Sequence, residues 1–215
     1  SGPRDEIVVA TKGGCVRPDG AWQFNGRPEY LRLACDRSLL ALGVERIDLY
    51  QYHWVDPEVP LAESVEMLAE LQGEGKIRWV GLSNVSVEEI ELARGIVDVV
   101  SVQNRLNPFF REAADDGVVG YCDEQGLGFL AYSPVGGGRL NKKLPEIDAL
   151  GPIAARHGVS VHAVVLAWVL SRGSSVIAIP AARRAAHVAD SQAAATVELN
   201  ETELAAIDAA EFSVA

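Results

Sequence analysis

Short apolar runs alternate with segments of helical periodicity along the whole chain. Residues 47–52, 78–82, 99–103, 128–132 and 176–180 are runs of about five apolar or β-prone residues. Between them lie stretches in which leucine, valine and alanine recur at helical spacing, closed by glycine or opened by proline. The repeat is about 30 to 40 residues, the size of a strand–helix–strand step. Such a chain is expected to form a parallel sheet with helices packed outside it.

In detail, residues 7–10 are expected to be a strand and Thr11-Lys12-Gly13-Gly14 the loop after it. Residues 15–27 are polar and contain Gly and Trp, which suits a long loop. Pro28 opens a helix that Gly43 ends. The strand at Ile47-Asp48-Leu49-Tyr50-Gln51-Tyr52 runs into His53 and stops before Pro57. Pro60 opens the next helix, which stops at Gly73-Glu74-Gly75. Ser86 with Glu89 forms a capping box for a third helix. Further helices are expected around residues 118–125, 145–156, 161–170, 183–195 and 201–210, and a Gly136-Gly137-Gly138-Arg139 loop after the strand at 128–132. The architecture is α/β of the (β/α)8 TIM-barrel type. About six βα units are present, in one partial-barrel domain over residues 1–215. A full barrel has eight strands and about 250 residues. Residues 1–6 read as a loop between a helix and a strand, so the first two units are expected to precede residue 1.

The composition narrows the class. With 48% hydrophobic residues the chain can build a core, and no apolar run is long enough to span a bilayer. The formal net charge of −11 argues against nucleic acid and anionic membranes as partners. Cys15, Cys35 and Cys122 are widely spaced and form no metal-ligand motif, which fits a reducing, cytoplasmic location. An open barrel leaves strand edges, so a second copy or another chain is expected to cover them.

Polar residues recur where the strands end: Lys12, His53, Ser83-Asn84, Gln103, Tyr132-Ser133 and Arg183-Arg184. Singly, each reads equally well as a cap, a loop residue or a satisfied core residue. Together they fall on the carboxyl rim of a parallel sheet, where barrel enzymes assemble their sites.

These stretches resemble the aldo-keto reductase family. The matching segments are Val8-Val9-Ala10-Thr11-Lys12-Gly13-Gly14, Asp48-Leu49-Tyr50-Gln51-Tyr52-His53, Gly75-Lys76-Ile77-Arg78-Trp79-Val80-Gly81-Leu82-Ser83-Asn84, Val102-Gln103-Asn104, Ala131-Tyr132-Ser133-Pro134, and Ile179-Pro180 with the Arg183-Arg184 helix. They run from that family's third strand to its end. The resemblance implies NADPH-dependent reduction of an aldehyde or ketone, with NADP(H) as cofactor and a small carbonyl compound as substrate. It implies that Lys12 lowers the pKa of a proton-donating tyrosine and that His53 orients the carbonyl. It implies that Ser83, Asn84 and Gln103 bind the nicotinamide carboxamide and that Tyr132 stacks on the ring. Ser133, Pro134, Val135, Gly136 and Arg139 fall at the pyrophosphate wall. Ile179, Ala181, Ala182, Arg183, Arg184, His187, Asp190 and Ser191 fall at the pocket for adenine and the 2′-phosphate. No metal site is implied.

Two departures stand out. The family's catalytic aspartate and tyrosine have no counterpart in these residues, so the 215 residues alone are expected to bind cofactor weakly and to reduce little. The adenine pocket carries Ala181-Ala182 where the family begins with glycine, and Ser191 where most members have asparagine. The alternative expectation is a member of the fold with a non-redox role: ligand or partner binding, or proton transfer through His53 and Lys12.

Overall fold

A computed structural model describes residues 7 to 214. The loop expected at residues 1–6 lies outside them. The described residues divide into two compact units, the first ending at Gln103 and the second beginning at Asn104.

The first unit contains β1 (Ala10–Gly13), β2 (Cys15–Val16), β3 (Gln23–Phe24), α1 (Pro28–Leu42), β4 (Ile47–Tyr52), α2 (Leu61–Gly73), β5 (Ile77–Ser83), α3 (Val87–Arg94) and β6 (Val99–Gln103). Strands β1, β4, β5 and β6 lie side by side in that order, all parallel. Each parallel step needs a crossover, and α1, α2 and α3 supply them. Helix α1 begins at Pro28 and ends at Gly43, whose φ of 65° brings its N–H back to the last turn. The Ser86–Glu89 capping box that opens α3 is complete in both directions.

In this unit two expectations need correction. The front strand is displaced: residues 10–13 form β1, and Ile7 and Val8 are 56% and 61% exposed. Pairing with β4 decides this, since Ala10 to Gly13 lie level with Leu49 to Tyr52 and the His53 N–H donates to the Gly13 carbonyl at 2.8 Å. Lys12 is therefore a strand residue, where a loop residue was expected. The long loop is also partly ordered as a hairpin. β2 and β3 pair antiparallel, and a 3-10 turn at Pro18–Gly20 lies between them.

Beyond β4, a buried polar knot fixes the chain. The Asp56 carboxylate accepts the N–H groups of Gly26 at 2.8 Å and Glu58 at 2.9 Å. The Tyr52 hydroxyl accepts from the Asp56 N–H at 3.1 Å and from the Ser64 hydroxyl at 3.2 Å. A side chain at position 26 would collide with the Tyr52 hydroxyl, so glycine is required by the close approach.

The second unit contains α4 (Glu112–Asp115), α5 (Val118–Gln125), β7 (Gly128–Ala131), α6 (Gly137–Leu140), α7 (Leu150–His157), α8 (Val161–Leu170), β8 (Val176–Ala178), α9 (Ala185–Ala193) and α10 (Glu201–Ala209). β7 and β8 pair in parallel. Helix α8 is buried on nearly every side, from Ala163 to Val169. The glycine-rich stretch expected as a loop turns helical at α6. The helix expected from residue 145 is a 3-10 turn at Leu144–Glu146 followed by α7. Helix α9 starts two residues later than expected, leaving Arg183 and Arg184 in the approach to it. No single helix among the described residues is long and apolar enough to cross a membrane.

Replacing Asp56 by Ala removes two accepted bonds and leaves the Gly26 N–H buried without a partner. The expected loss is about 2 to 3 kcal/mol of unfolding free energy. Chemical denaturation checks this, and a loss below about 0.5 kcal/mol, the size of an ordinary surface change, would contradict it.

Candidate active site

The first unit brings five of the expected residues together at the carboxyl ends of its four parallel strands. Lys12 lies level with Gln51. A side chain at Gly13 would meet the Tyr50 ring, so Gly13 and Tyr50 share one face and Lys12 points to the other. His53 follows directly on β4. Its N–H holds the Gly13 carbonyl, and its own carbonyl accepts from Asn84 Nδ2 at 3.0 Å.

Asn84 has a left-handed φ of 57°. That conformation is uncommon outside glycine, and asparagine tolerates it best. Its Nδ2 also reaches Ser83 Oγ at 3.1 Å, and its N–H donates to the Gln103 carbonyl at 3.2 Å. Ser83 uses its hydroxyl proton on the same Gln103 carbonyl, at 2.6 Å. Ser83 and Gln103 are buried, and the ends of β5 and β6 are stitched together through them.

The electrostatics follow from burial. Lys12 has its pKa lowered by loss of solvent. His53 is pushed below its ordinary value first by burial and second by the Lys12 charge. Its imidazole is therefore neutral at pH 7, able to donate from one nitrogen and accept at the other.

Sequence reasoning missed the aromatic wall beside His53. The Trp22 ring meets the imidazole edge-on with centroids 5.7 Å apart, and the Arg17 guanidinium lies 4.6 Å above Trp22. Phe24 stacks on Trp54 at 5.4 Å. The available signal was the aromatic at every second position, Trp22 and Phe24, after the Pro18-Asp19-Gly20 turn.

In the second unit, Tyr132 is half-buried, and burial raises its hydroxyl pKa. Ser133 adopts φ 49°, and its carbonyl accepts from Asn107 Nδ2 and the Gly136 N–H, both at 2.8 Å. Pro134 is buried, and Val135 packs against Ala163, Leu166 and Ala194. A cleft of about 400 Å³ takes in Val135, Pro180, Ala181, His187, Asp190 and Ser191. Asn141, Lys142 and His162 also line it, and the sequence reading had not selected them. The adjacent Lys142-Lys143 pair in an acidic chain was the signal for Lys142. Asp190 is held by the Ser160 hydroxyl at 2.8 Å. Ile179, Ala182, Arg183 and Arg184 do not line the cleft. Arg139 is bound elsewhere, donating to the Val214 carbonyl at 2.6 Å. No side chain caps the start of α9, which Arg183 and Arg184 precede.

Parallel strands crossed over by helices, with polar residues at their carboxyl ends, define an α/β protein of the TIM-barrel type. A model of the aldo/keto reductase family matches residues 1–211, and the chain belongs to that family. It is 35% identical over 207 residues to an uncharacterized oxidoreductase of Schizosaccharomyces pombe, covering 96% of this chain and 66% of that protein. It is 32% identical to a probable aldo-keto reductase of Glycine max, covering 94% and 66%. The chain thus spans just under two thirds of the length of these relatives. Among solved structures, an aldo-keto reductase from Klebsiella pneumoniae in complex with NADPH superposes with a TM-score of 0.81 at 30% identity, covering 97% of this chain and 71% of that one. A glycerol dehydrogenase from Gluconobacter oxydans gives a TM-score of 0.83 at 28% identity, covering 94% and 71%.

The two causes acting on His53 can be separated. In NMR titrations the imidazole midpoint is expected below the ordinary 6.5. Lys12→Met removes the smaller cause, so the midpoint should rise while staying below 6.5. As the folded-state value is the lower one, His53 makes the fold less stable as pH drops through 6.5. An unchanged midpoint in Lys12→Met would show that the charge does not reach the ring.

Proposed function

We propose that the protein reduces the carbonyl of an aldehyde or ketone to an alcohol with NADPH. The observation that carries this reading is the convergence of Lys12, neutral His53 and the bonded Ser83, Asn84 and Gln103 on one set of strand ends. The family membership and the NADPH complex of the Klebsiella relative support it.

Each unit carries residues that fit a part of the dinucleotide. Gln103 and Asn84 carry amides that complement a nicotinamide carboxamide. Arg183 and Arg184 place positive charge before the uncapped start of α9, which suits a phosphate in a chain of net charge −11. The cleft with Lys142, Asp190 and Ser191 is of a size that accepts an adenine. When bound, the cofactor supplies the hydride. The chain's own residues do the rest. His53 donates a hydrogen bond to the carbonyl oxygen and fixes its direction. Lys12 stabilises the negative charge that grows on that oxygen. The proton that completes the alcohol comes, on this reading, from the tyrosine that the resemblance implies, which has no counterpart in the first unit. Tyr50 and Tyr52 are buried on the opposite face, and Tyr30 donates to the Cys15 carbonyl at 3.3 Å. Trp22, Phe24 and Trp54 offer the substrate an apolar wall. Three free cysteines suit a reducing cytoplasm as the working compartment.

NADPH oxidation with activated aldehydes is the test, made with protein that supplies the proton-donating tyrosine; the 215 residues alone should reduce little. His53→Ala should lower turnover by about 10²- to 10⁴-fold, the usual weight of such a group, with little change in NADPH affinity. A large loss of affinity at unchanged turnover would contradict its role. Replacing Arg183 and Arg184 together by Ala should weaken NADPH more than NADH, and equal losses would exclude phosphate recognition there.

A further inference from the structure

Gln51 is a polar residue that the reading above leaves without a task. It is fully buried, one residue before the carboxyl end of β4. Parallel strands buried on both faces are ordinarily apolar throughout. Gln51 lies level with Lys12 on β1 and Gly81 on β5, and Gly81 lies level with Ser101 on β6. Its Oε1 accepts from Gln103 Nε2 at 3.3 Å. Its own Nε2 is buried without a partner among the described residues.

The contact skips a strand. Gln103 is on β6, so the Gln51 side chain crosses β5, a spacing of roughly 9 to 10 Å between the two strands. Gly81 makes the crossing possible. A Cβ there would stand 3.0 Å from Gln51 Cγ and 2.6 Å from Ser101 Oγ. Gln103 is two residues beyond Ser101, so its acceptor lies one layer beneath it, toward the strands' amino ends. With Nε2 turned down to Gln51, the other edge of the Gln103 amide, Oε1, is turned up toward the carboxyl rim.

A leucine at position 51 would fill similar space and remove the unpaired Gln51 Nε2, but it would also take away the acceptor of Gln103 Nε2. An amide kept there despite an unpaired N–H is the kind of local cost that marks a functional position. We propose that Gln51 is a positioning residue that fixes the amide of Gln103, so that Oε1 faces the nicotinamide carboxamide as an acceptor. Gly81 is the gap through which it acts. The inference rests on the reductase reading.

The test is equilibrium binding of two probes to the protein: NADPH, and adenosine 2′,5′-bisphosphate, which has the 2′-phosphate and adenine but no nicotinamide. Gln51→Leu should weaken NADPH by roughly 3- to 10-fold, the equivalent of one hydrogen bond. It should leave the bisphosphate unchanged and the unfolding midpoint close to that of wild type, since one buried unpaired N–H replaces another. Gln51→Met, equal in length and lacking the acceptor, should behave alike. Gln51→Glu, which keeps an acceptor oxygen, should restore NADPH affinity to within about twofold of wild type, less than a single hydrogen bond. Equal weakening of both probes, or NADPH affinity unchanged in the Leu and Met variants, overturns the proposal while leaving the reductase reading in place. A wild-type protein that does not bind NADPH overturns both.

Discussion

The register of β4 against its neighbours is the constraint on which the first unit depends. Side chains alternate along a strand, so a slip of one residue would exchange its two faces. In the observed register Lys12, Gln51, Gly81 and Ser101 form one level. A slip of β4 by one residue would turn Gln51 away from the Lys12 face and bring Tyr50 or Tyr52 level with Gly81. The register is held at both ends: the Ile47 N–H takes the Lys76 carbonyl at 3.0 Å, and the His53 N–H takes that of Gly13 at 2.8 Å. Side chains then lock it, with Asn84 reaching the His53 carbonyl and Ser83 that of Gln103. The bonds that place the candidate catalytic residues are thus bonds that align the strands.

Charge is arranged with the same economy. The chain is acidic, yet Lys12 is half-buried at a strand end, beside a histidine that burial and the lysine both keep neutral. A protonated imidazole would repel Lys12 and lose its acceptor nitrogen. Hence one positive charge and one neutral donor stand side by side, as needed to stabilise and orient an oxygen that gains negative charge. Cys35 and Cys122 are buried with their thiols raised, Cys35 to about 11 and Cys122 to about 12. Neither is a thiolate at neutral pH, so neither competes as a nucleophile.

What the sequence made legible was local. β6 falls on the five residues expected, α1 has its Pro and Gly at the expected ends, and the Ser86–Glu89 box is made in full. Each of these is fixed by neighbours a few residues away. The misses are non-local or too short to show a period. Ile7 and Val8 look like a strand by apolarity, but the pairing with β4 begins at Ala10. The hairpin strands have two residues each, below the length at which alternation is visible. Arg139 was expected at a phosphate, and its partner is the Val214 carbonyl 75 residues away. The cleft residues Lys142 and His162 come from segments that sequence spacing does not connect.

The two faces of β4 resolve a conflict that the site creates. On one face, Gln51 and the neighbouring Ser101 leave buried polar atoms unpaired, which weakens the fold. On the other, Tyr50 and Tyr52 are fully buried, and aromatic rings of that size contribute heavily to a core, although the Tyr50 hydroxyl is also without a partner among the described residues. Tyr52 adds the knot with Asp56, Ser64 and Gly26, which holds the segment after His53 and the approach to α1. The strand period of two separates these duties residue by residue: even positions 50 and 52 anchor, odd positions 51 and 53 serve the site. The polar face is tolerated because the adjacent face is so thoroughly packed. Substitutions at 50 and 52 therefore act first on the core, and those at 51 and 53 first on the site, along one six-residue strand and the residue that follows it.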